Sequence, residues 1–236
     1  MVRICVINPN STSAMTDHLR HDLERIKRPD TELLVINPEH GPVSVESMYD
    51  ETLAGAQILP LVQKANEEGY DAIILACFSD PGLDAAKEIS DVLVLGIEET
   101  SLHVAAMLGH KFSITVGYPR RPPIREWHAR LRGVENAYAS CLVMNMSVLD
   151  MHAKPAEAKA RILELGRRAV QEEGVEVIIL GCAGLSGYAE DLERELGVTV
   201  VDPSAVTLKV AEGLAELGVR HSKIARFAKP PVKPIN

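Results

Sequence analysis

Two cysteines of this sequence recur in equivalent surroundings. The segment Glu67-Glu68-Gly69-Tyr70-Asp71-Ala72-Ile73-Ile74-Leu75-Ala76-Cys77 aligns without gaps on Glu172-Glu173-Gly174-Val175-Glu176-Val177-Ile178-Ile179-Leu180-Gly181-Cys182, with seven of the eleven positions identical. In each copy the thiol follows a short β-branched apolar run, the mark of a buried parallel strand, and ligands of open parallel sheets bind beyond the carboxyl ends of such strands. A thiol placed there, just before a helix, meets unpaired N–H groups and the positive end of the helix dipole, which favours thiolate. Two such thiols facing each other over a cleft would put a base on either face of a substrate. That arrangement suits removal of a proton from an sp³ carbon beside a carbonyl and its return from the opposite side, which is racemisation or epimerisation. Cys77 and Cys182 would exchange the roles of thiolate and thiol, and backbone amides would stabilise the enolate. No metal and no organic cofactor is required.

Other chemistry finds less support. Cys5 and Cys141 sit inside apolar runs and read as core. A disulfide between Cys77 and Cys182 would need an oxidising compartment. Zinc would need a CxxC or a close Cys/His cluster, and neither occurs; His18 and Asp22, at i and i+4, read as solvated side chains. Neither GxGxxG nor a P-loop is present, so nucleotide binding has no support. With 33 acidic against 25 basic residues, a net charge of -8 and no Lys/Arg run, nucleic acid and membrane surfaces are poor partners, and a small molecule is the expected one. Apolar stretches such as 72–78 fall far short of the roughly 18 to 20 residues that span a bilayer, and the opening residues read as a strand. A cytoplasmic location follows as the expectation.

The elements that must position the thiols alternate short apolar strands with helical segments, the pattern of a parallel sheet covered by helices. Strands are expected at 3–7, 32–36, 72–76, 92–96, 112–116, 140–144, 177–180 and 200–202. Met15, Leu19, Leu23 and Ile26 define one face of a first helix that should pack on the sheet, with Ser11, Thr12 or Ser13 as its cap. Further helices are expected at 51–67, kinked by Pro60, and at 156–173 and 204–217. The repeat implies an α/β fold of two pseudo-symmetric lobes, closely packed and meeting near 102–109, with the active site in the cleft between them. The tail 227–236, with Pro230, Pro231 and Pro234, should be non-helical and run over the surface.

Read together, these residues resemble the Asp/Glu/hydantoin racemase superfamily over nearly the whole chain, and most closely its hydantoin racemase branch. The resemblance rests on Ile7-Asn8-Pro9-Asn10-Ser11-Thr12 followed by Met15-Thr16, and on Ala76-Cys77-Phe78-Ser79-Asp80-Pro81-Gly82-Leu83. It rests equally on Leu180-Gly181-Cys182-Ala183-Gly184-Leu185-Ser186 and on Val201-Asp202 leading into the last helix. It implies flavodoxin-like lobes, one of 1–104 joined by a returning helix in 206–236 and the other of 105–205. It also implies a cofactor-independent two-base mechanism and assembly into a homo-oligomer.

By position, Cys77 and Cys182 become the catalytic acid/bases, and Asn10 and Ser11 would hold the substrate or the approaching thiol. Phe78 and Ser79 beside the first cysteine, and Ala183 and Gly184 beside the second, would offer backbone N–H groups, with the Ser79 hydroxyl in addition. Tyr118 would close the pocket. Amino-acid racemases of this group have Asn-Thr after the first cysteine and Thr after the second, so Phe78-Ser79 and Ala183-Gly184 argue against free aspartate or glutamate. The related decarboxylases keep one cysteine of the pair, whereas this chain keeps both. The resemblance thus implies a racemase of 5-substituted hydantoins, with allantoin as the alternative substrate; neutral donors would suffice to stabilise the carbanion, with no cationic clamp. A two-lobed binding protein without chemistry is a different class, and its function would survive loss of both thiols.

Overall fold

Beyond Arg3 the segment Val2–Ile7 is apolar along both faces, which suits a strand covered on both sides, and it forms β1 inside a parallel sheet. With β2 (Thr31–Ile36), β3 (Ala72–Leu75) and β4 (Leu93–Gly96) it gives the order β2-β1-β3-β4. A second sheet holds β5 (Phe112–Val116), β6 (Tyr138–Val143), β7 (Val177–Ile179) and β8 (Thr199–Val201) in the order β6-β5-β7-β8. All pairings are parallel, and the second order is the first with each number raised by four. The computed structural model describes residues 1–231 and 233.

Nine α-helices are seen among the described residues: α1 (Ser13–Ile26), α2 (Met48–Glu67), α3 (Leu83–Ile89), α4 (Ile97–Leu108), α5 (Pro122–Leu131), α6 (Val148–Ala153), α7 (Pro155–Arg168), α8 (Ala189–Leu196) and α9 (Pro203–Glu216). Helix α2 starts earlier than its apolar pattern because Ser47 caps it, Oγ accepting from Asp50 N at 3.2 Å, and it continues through Pro60. The expected helix over 156–173 ends as α7 at Arg168, and Ala169–Glu173 forms a π-turn. The repeated glycines close these two helical segments: Gly69 and Gly174 are left-handed, with φ of 74° and 67°, a conformation that a Cβ disfavours.

The anticipated face of α1 divides. Leu19 and Leu23 are buried, whereas Ile26 is 38% exposed at the helix end and Met15 turns towards a cavity. Thr12 occupies the cap position without capping. Its hydroxyl donates to Val43 O at 2.7 Å, and its own N–H donates to Asn10 Oδ1 at 2.9 Å.

Three apolar layers hold the sheets. One core covers the outer face of the first sheet with Ile58, Val62 and Leu83; another covers the outer face of the second with Ile162, Leu185 and Leu192. The third lies between the sheets and joins Ile4, Val6 and Ile74 to Phe112, Ile114 and Ile179 in one cluster. Helix α4 runs straight through the expected meeting point of the lobes and touches β4 on one side and β7 and β8 on the other. Helix α9 comes back to pack on α1, α4, β1, β3 and β4. Residues 227–231 are non-helical, and Lys229 reaches Asp91 at 2.6 Å; residues 232 and 234–236 of the anticipated tail, Pro234 among them, lie outside the described residues. Among the described residues no helix is long and apolar enough to cross a membrane.

Candidate active site

Strands β3 and β7 hold the same place in their sheets, and each delivers its cysteine just past its carboxyl end. Ala76 N–H donates to Ile7 O at 2.9 Å, continuing the ladder before Cys77. At the equivalent point Gly181 N–H donates to the Thr115 hydroxyl at 2.8 Å. The backbones approach so closely there that a Cβ on Gly181 would lie 2.0 Å from Thr115 O. Both thiols line one cavity, whose empty space is about 870 Å³ with its open mouth included.

No α-helix starts at either thiol: α3 begins only at Leu83, and Ala183–Leu185 is a single 3₁₀ turn. The helix-dipole activation expected from the sequence is therefore missing, and burial decides the protonation state. Burial pushes the Cys77 thiol up to about 12, opposed by the Ser79 hydroxyl and, more weakly, by Arg121, and reinforced by Glu51 and Cys182. Ser79 Oγ lies 3.4 Å from Cys77 Sγ. Burial likewise pushes Cys182 up to about 11, opposed by the Gly184 N–H, which points at its sulfur at 3.4 Å. Burial thus favours the neutral thiol at both positions, the opposite direction to the thiolate stabilisation expected from a helix dipole.

Of the other anticipated residues, Asn10, Phe78, Tyr118, Ala183 and Gly184 line the cavity, whereas Ser11 and Ser79 do not. The Ser11 hydroxyl donates to Gly41 O at 3.1 Å and its N–H to Pro42 O at 3.0 Å, so Ser11 fastens the 37–47 loop that carries Val45 and Glu46 into the wall. Asn10 Oδ1 accepts from Asn8 Nδ2 and from Thr12 N, while its Nδ2 meets only Met15 Sδ, at 3.8 Å. Among the described residues the N–H groups of Phe78 and Ala183, each next to a thiol, have no protein acceptor; that of Ser79 is taken by Cys77 O.

Side chains that motif reasoning passed over complete the wall. Arg121 and Arg125 project from the start of α5 near Cys77; Glu46, His18 and His152 approach from the rim. The His18 and His152 rings meet edge to face at 5.0 Å, joining α1 to α6, and His18 Nε2 lies 3.3 Å from Asp22 Oδ2. Arg125 is buried against Glu98, which also receives His128 Nδ1 at 2.7 Å. Burial alone would raise the Glu98 carboxyl, but Arg125 and His128 hold it down at about 2. The guanidinium of Arg125 also sits 5.6 Å from the centre of the Phe78 ring, fixing the residue beside Cys77. The spacing Arg121, Arg125, His128, one face of a helix just after Tyr118-Pro119, was the signal available in the sequence. Among the described residues there is no group of three or more His, Cys, Asp or Glu side chains placed to hold a metal.

Comparison with known proteins agrees with this geometry. The chain is 39% identical over 234 residues to a hydantoin racemase of Paenarthrobacter aurescens, covering 98% of this chain and 99% of that one. It is 38% identical over 232 residues to a hydantoin racemase of Pseudomonas sp. (strain NS671), covering 98% and 93%. Its fold superposes on a solved allantoin racemase from Klebsiella pneumoniae with a TM-score of 0.95 at 35% identity, covering 100% and 96%. The profile described as Asp/Glu/Hydantoin racemase matches residues 4–211, and the chain belongs to that family.

Proposed function

We propose that the chain is a cofactor-independent racemase of 5-substituted hydantoins, using Cys77 and Cys182 as its two acid/bases. The observation that carries this reading is that two thiols from repeated strand ends line one cavity between the sheets. A thiolate formed there is a strong base because burial disfavours it, which matches the weak acidity of a carbon beside a ring carbonyl. One cysteine takes the proton from C5, the electron pair delocalises onto the ring oxygen, and the other returns a proton from the opposite face. The N–H groups of Phe78 and Ala183 are free to receive that oxygen. In this reading Asn10 and Tyr118 contact the substrate, and Ser11 and Ser79 act through the 37–47 loop and the Cys77 thiol.

The wall favours an apolar 5-substituent: Met15, Leu19, Met146, Val148 and Met151 line it, and methionines adapt to varied shapes. Allantoin is the second reading, supported by Glu46, His18 and His152, which could receive a ureido group. We assign residues 206–231, which include most of α9, to the lobe of 1–104, since α9 packs on the first sheet, and 105–205 to the other. A homo-oligomer in a reducing cytoplasm, where four thiols stay free, completes the reading; analytical ultracentrifugation tests the assembly.

The deciding experiment follows optical rotation and deuterium uptake in D₂O for one enantiomer of 5-benzylhydantoin, 5-isobutylhydantoin and allantoin. Loss of rotation with uptake at C5, abolished by Cys77→Ser and by Cys182→Ser, is expected. Rotation that stays constant for all three with the wild type, or a loss of rotation that persists in both variants, overturns the proposal.

A further inference from the structure

Arg121 carries an unexplained vacancy in its hydrogen bonding. The residue is 8% exposed and lines the cavity beside Cys77 and Phe78. Its Nη2 donates to Glu51 Oε1 at 2.6 Å, which fixes the plane of the guanidinium, but its Nη1 is buried without any partner. Buried charged donors are ordinarily satisfied, because leaving one unpaired forfeits its hydration without return. Arg125, one turn further along α5, gives Nη1 to Glu98, and its Nη2, 3.9 Å from Glu51 Oε1, is likewise buried without a hydrogen-bond partner. Arg121 therefore retains a donor for an acceptor that the protein does not supply.

The surrounding charges limit what that acceptor can be. Two guanidinium groups, Arg121 and Arg125, stand against two carboxylates, Glu51 and Glu98, with His128 on Glu98. The arginines are thus already matched in charge, and a full substrate carboxylate would find no unpaired cation here. A neutral carbonyl that gains negative charge during the reaction suits a fixed donor of this kind. We propose that Arg121, through Nη1, donates a hydrogen bond to the ring carbonyl beside the reacting carbon and holds the oxygen on which the enolate charge develops. This rests on the racemase reading given above, and it assigns the Cys77 end of the cavity to the ring and the methionine wall to the substituent.

The step balances without any further reactant. The thiolate of one cysteine takes the C5 proton, the C–H pair becomes the C=C bond of the enolate, and the carbonyl π pair moves to oxygen. Arg121 donates a hydrogen bond and keeps all its protons. The thiol on the opposite face then gives its proton to C5 and is left as thiolate, ready for the reverse direction.

The test compares wild type, Arg121→Gln and Arg121→Lys on one enantiomer of 5-benzylhydantoin and on its 4-thio analogue, whose sulfur accepts hydrogen bonds poorly. Circular dichroism establishes that the variants are folded, and Arg121→Lys, which keeps a charge towards Glu51, carries the test if the glutamine variant does not fold. The expected result is a loss of about 10² to 10³ in kcat for Arg121→Gln with a much smaller change in KM, and a distinctly smaller loss on the 4-thio analogue. A folded variant within about threefold of wild type, or an equal loss on both substrates, overturns the role of Arg121 and leaves the racemase reading standing. A wild-type protein that exchanges neither hydantoin removes the racemase reading, and the assignment of Arg121 to a ring carbonyl goes with it.

Discussion

Iodoacetamide added to the native protein at neutral pH should label Cys77 and Cys182 far more slowly than in the urea-unfolded chain. Alkylation proceeds through the thiolate, so its rate follows the thiolate fraction multiplied by access. Burial moves Cys77 from 9.0 to about 12, which lowers its thiolate fraction about a thousandfold at neutral pH. Cys182 moves from 9.0 to about 11, a loss of about a hundredfold. Cys5 is fully buried and is pushed to about 12, mainly by burial, so it should be the slowest of the four. Quenching at intervals and quantifying the alkylated peptides by mass spectrometry gives each rate separately.

The same shifts predict an alkaline instability. Each folded-state value lies above the unfolded one, so the neutral thiols contribute stability that is complete below about 9 and lost as pH climbs towards 11 and 12. The unfolding midpoint should fall over that window, and less so in Cys77→Ser. Labelling of Cys77 or Cys182 at neutral pH as fast as in urea would refute the argument that burial governs these thiols.

Glu98→Gln leaves the buried Arg125 without its charged partner and should lower stability by about 3 to 5 kcal/mol, a midpoint drop on the order of 10 °C in thermal unfolding. Because Glu98 is held at about 2 against its usual 4.5, its contribution is present above about 4.5 and lost as pH falls towards 2, and the variant should lack that acid-side loss. Gly181→Ala forces a Cβ to within 2.0 Å of Thr115 O and should cost about 1 to 3 kcal/mol in denaturant titration while displacing Cys182, with a fall of about 10² in kcat.

The repeat around Cys77 and Cys182 was enough to expose the architecture, because a buried parallel strand and its closing glycine leave a signature within about eleven residues. The strands all fell within a residue or two of their places. Helix α4 was passed over because its polar residues Glu98–Ser101 crowd into the first turn and mark no one face, and α3, α6 and α8 are too short for a period to register. Thiol activation was misread for a local reason: strand end followed by glycine suggests a helix N-terminus, but the turns at Phe78–Gly82 and Ala183–Leu185 intervene. The roles of Arg121 and Glu46 were illegible because each depends on a partner distant in sequence. Glu51 comes to Arg121 across 70 positions, and Val148 N comes to Glu46 across 102.

The apolar layer shared by the sheets bears on how the site can open. A hinge that swung one lobe from the other would bring Ile4, Ile74, Phe112 and Ile179 into water together, at a cost of roughly 1.5 to 3 kcal/mol for each side chain fully exposed. An opening of that amplitude is therefore costly. Traffic is cheaper through the rim, where the 37–47 loop is clasped to Ser11 and Thr12 on one side and to Arg120 and Val148 on the other by hydrogen bonds alone. On the proposed reading the two thiols would keep their separation while a short surface segment moves, and a base held on each face would let one site serve both hands of a substrate.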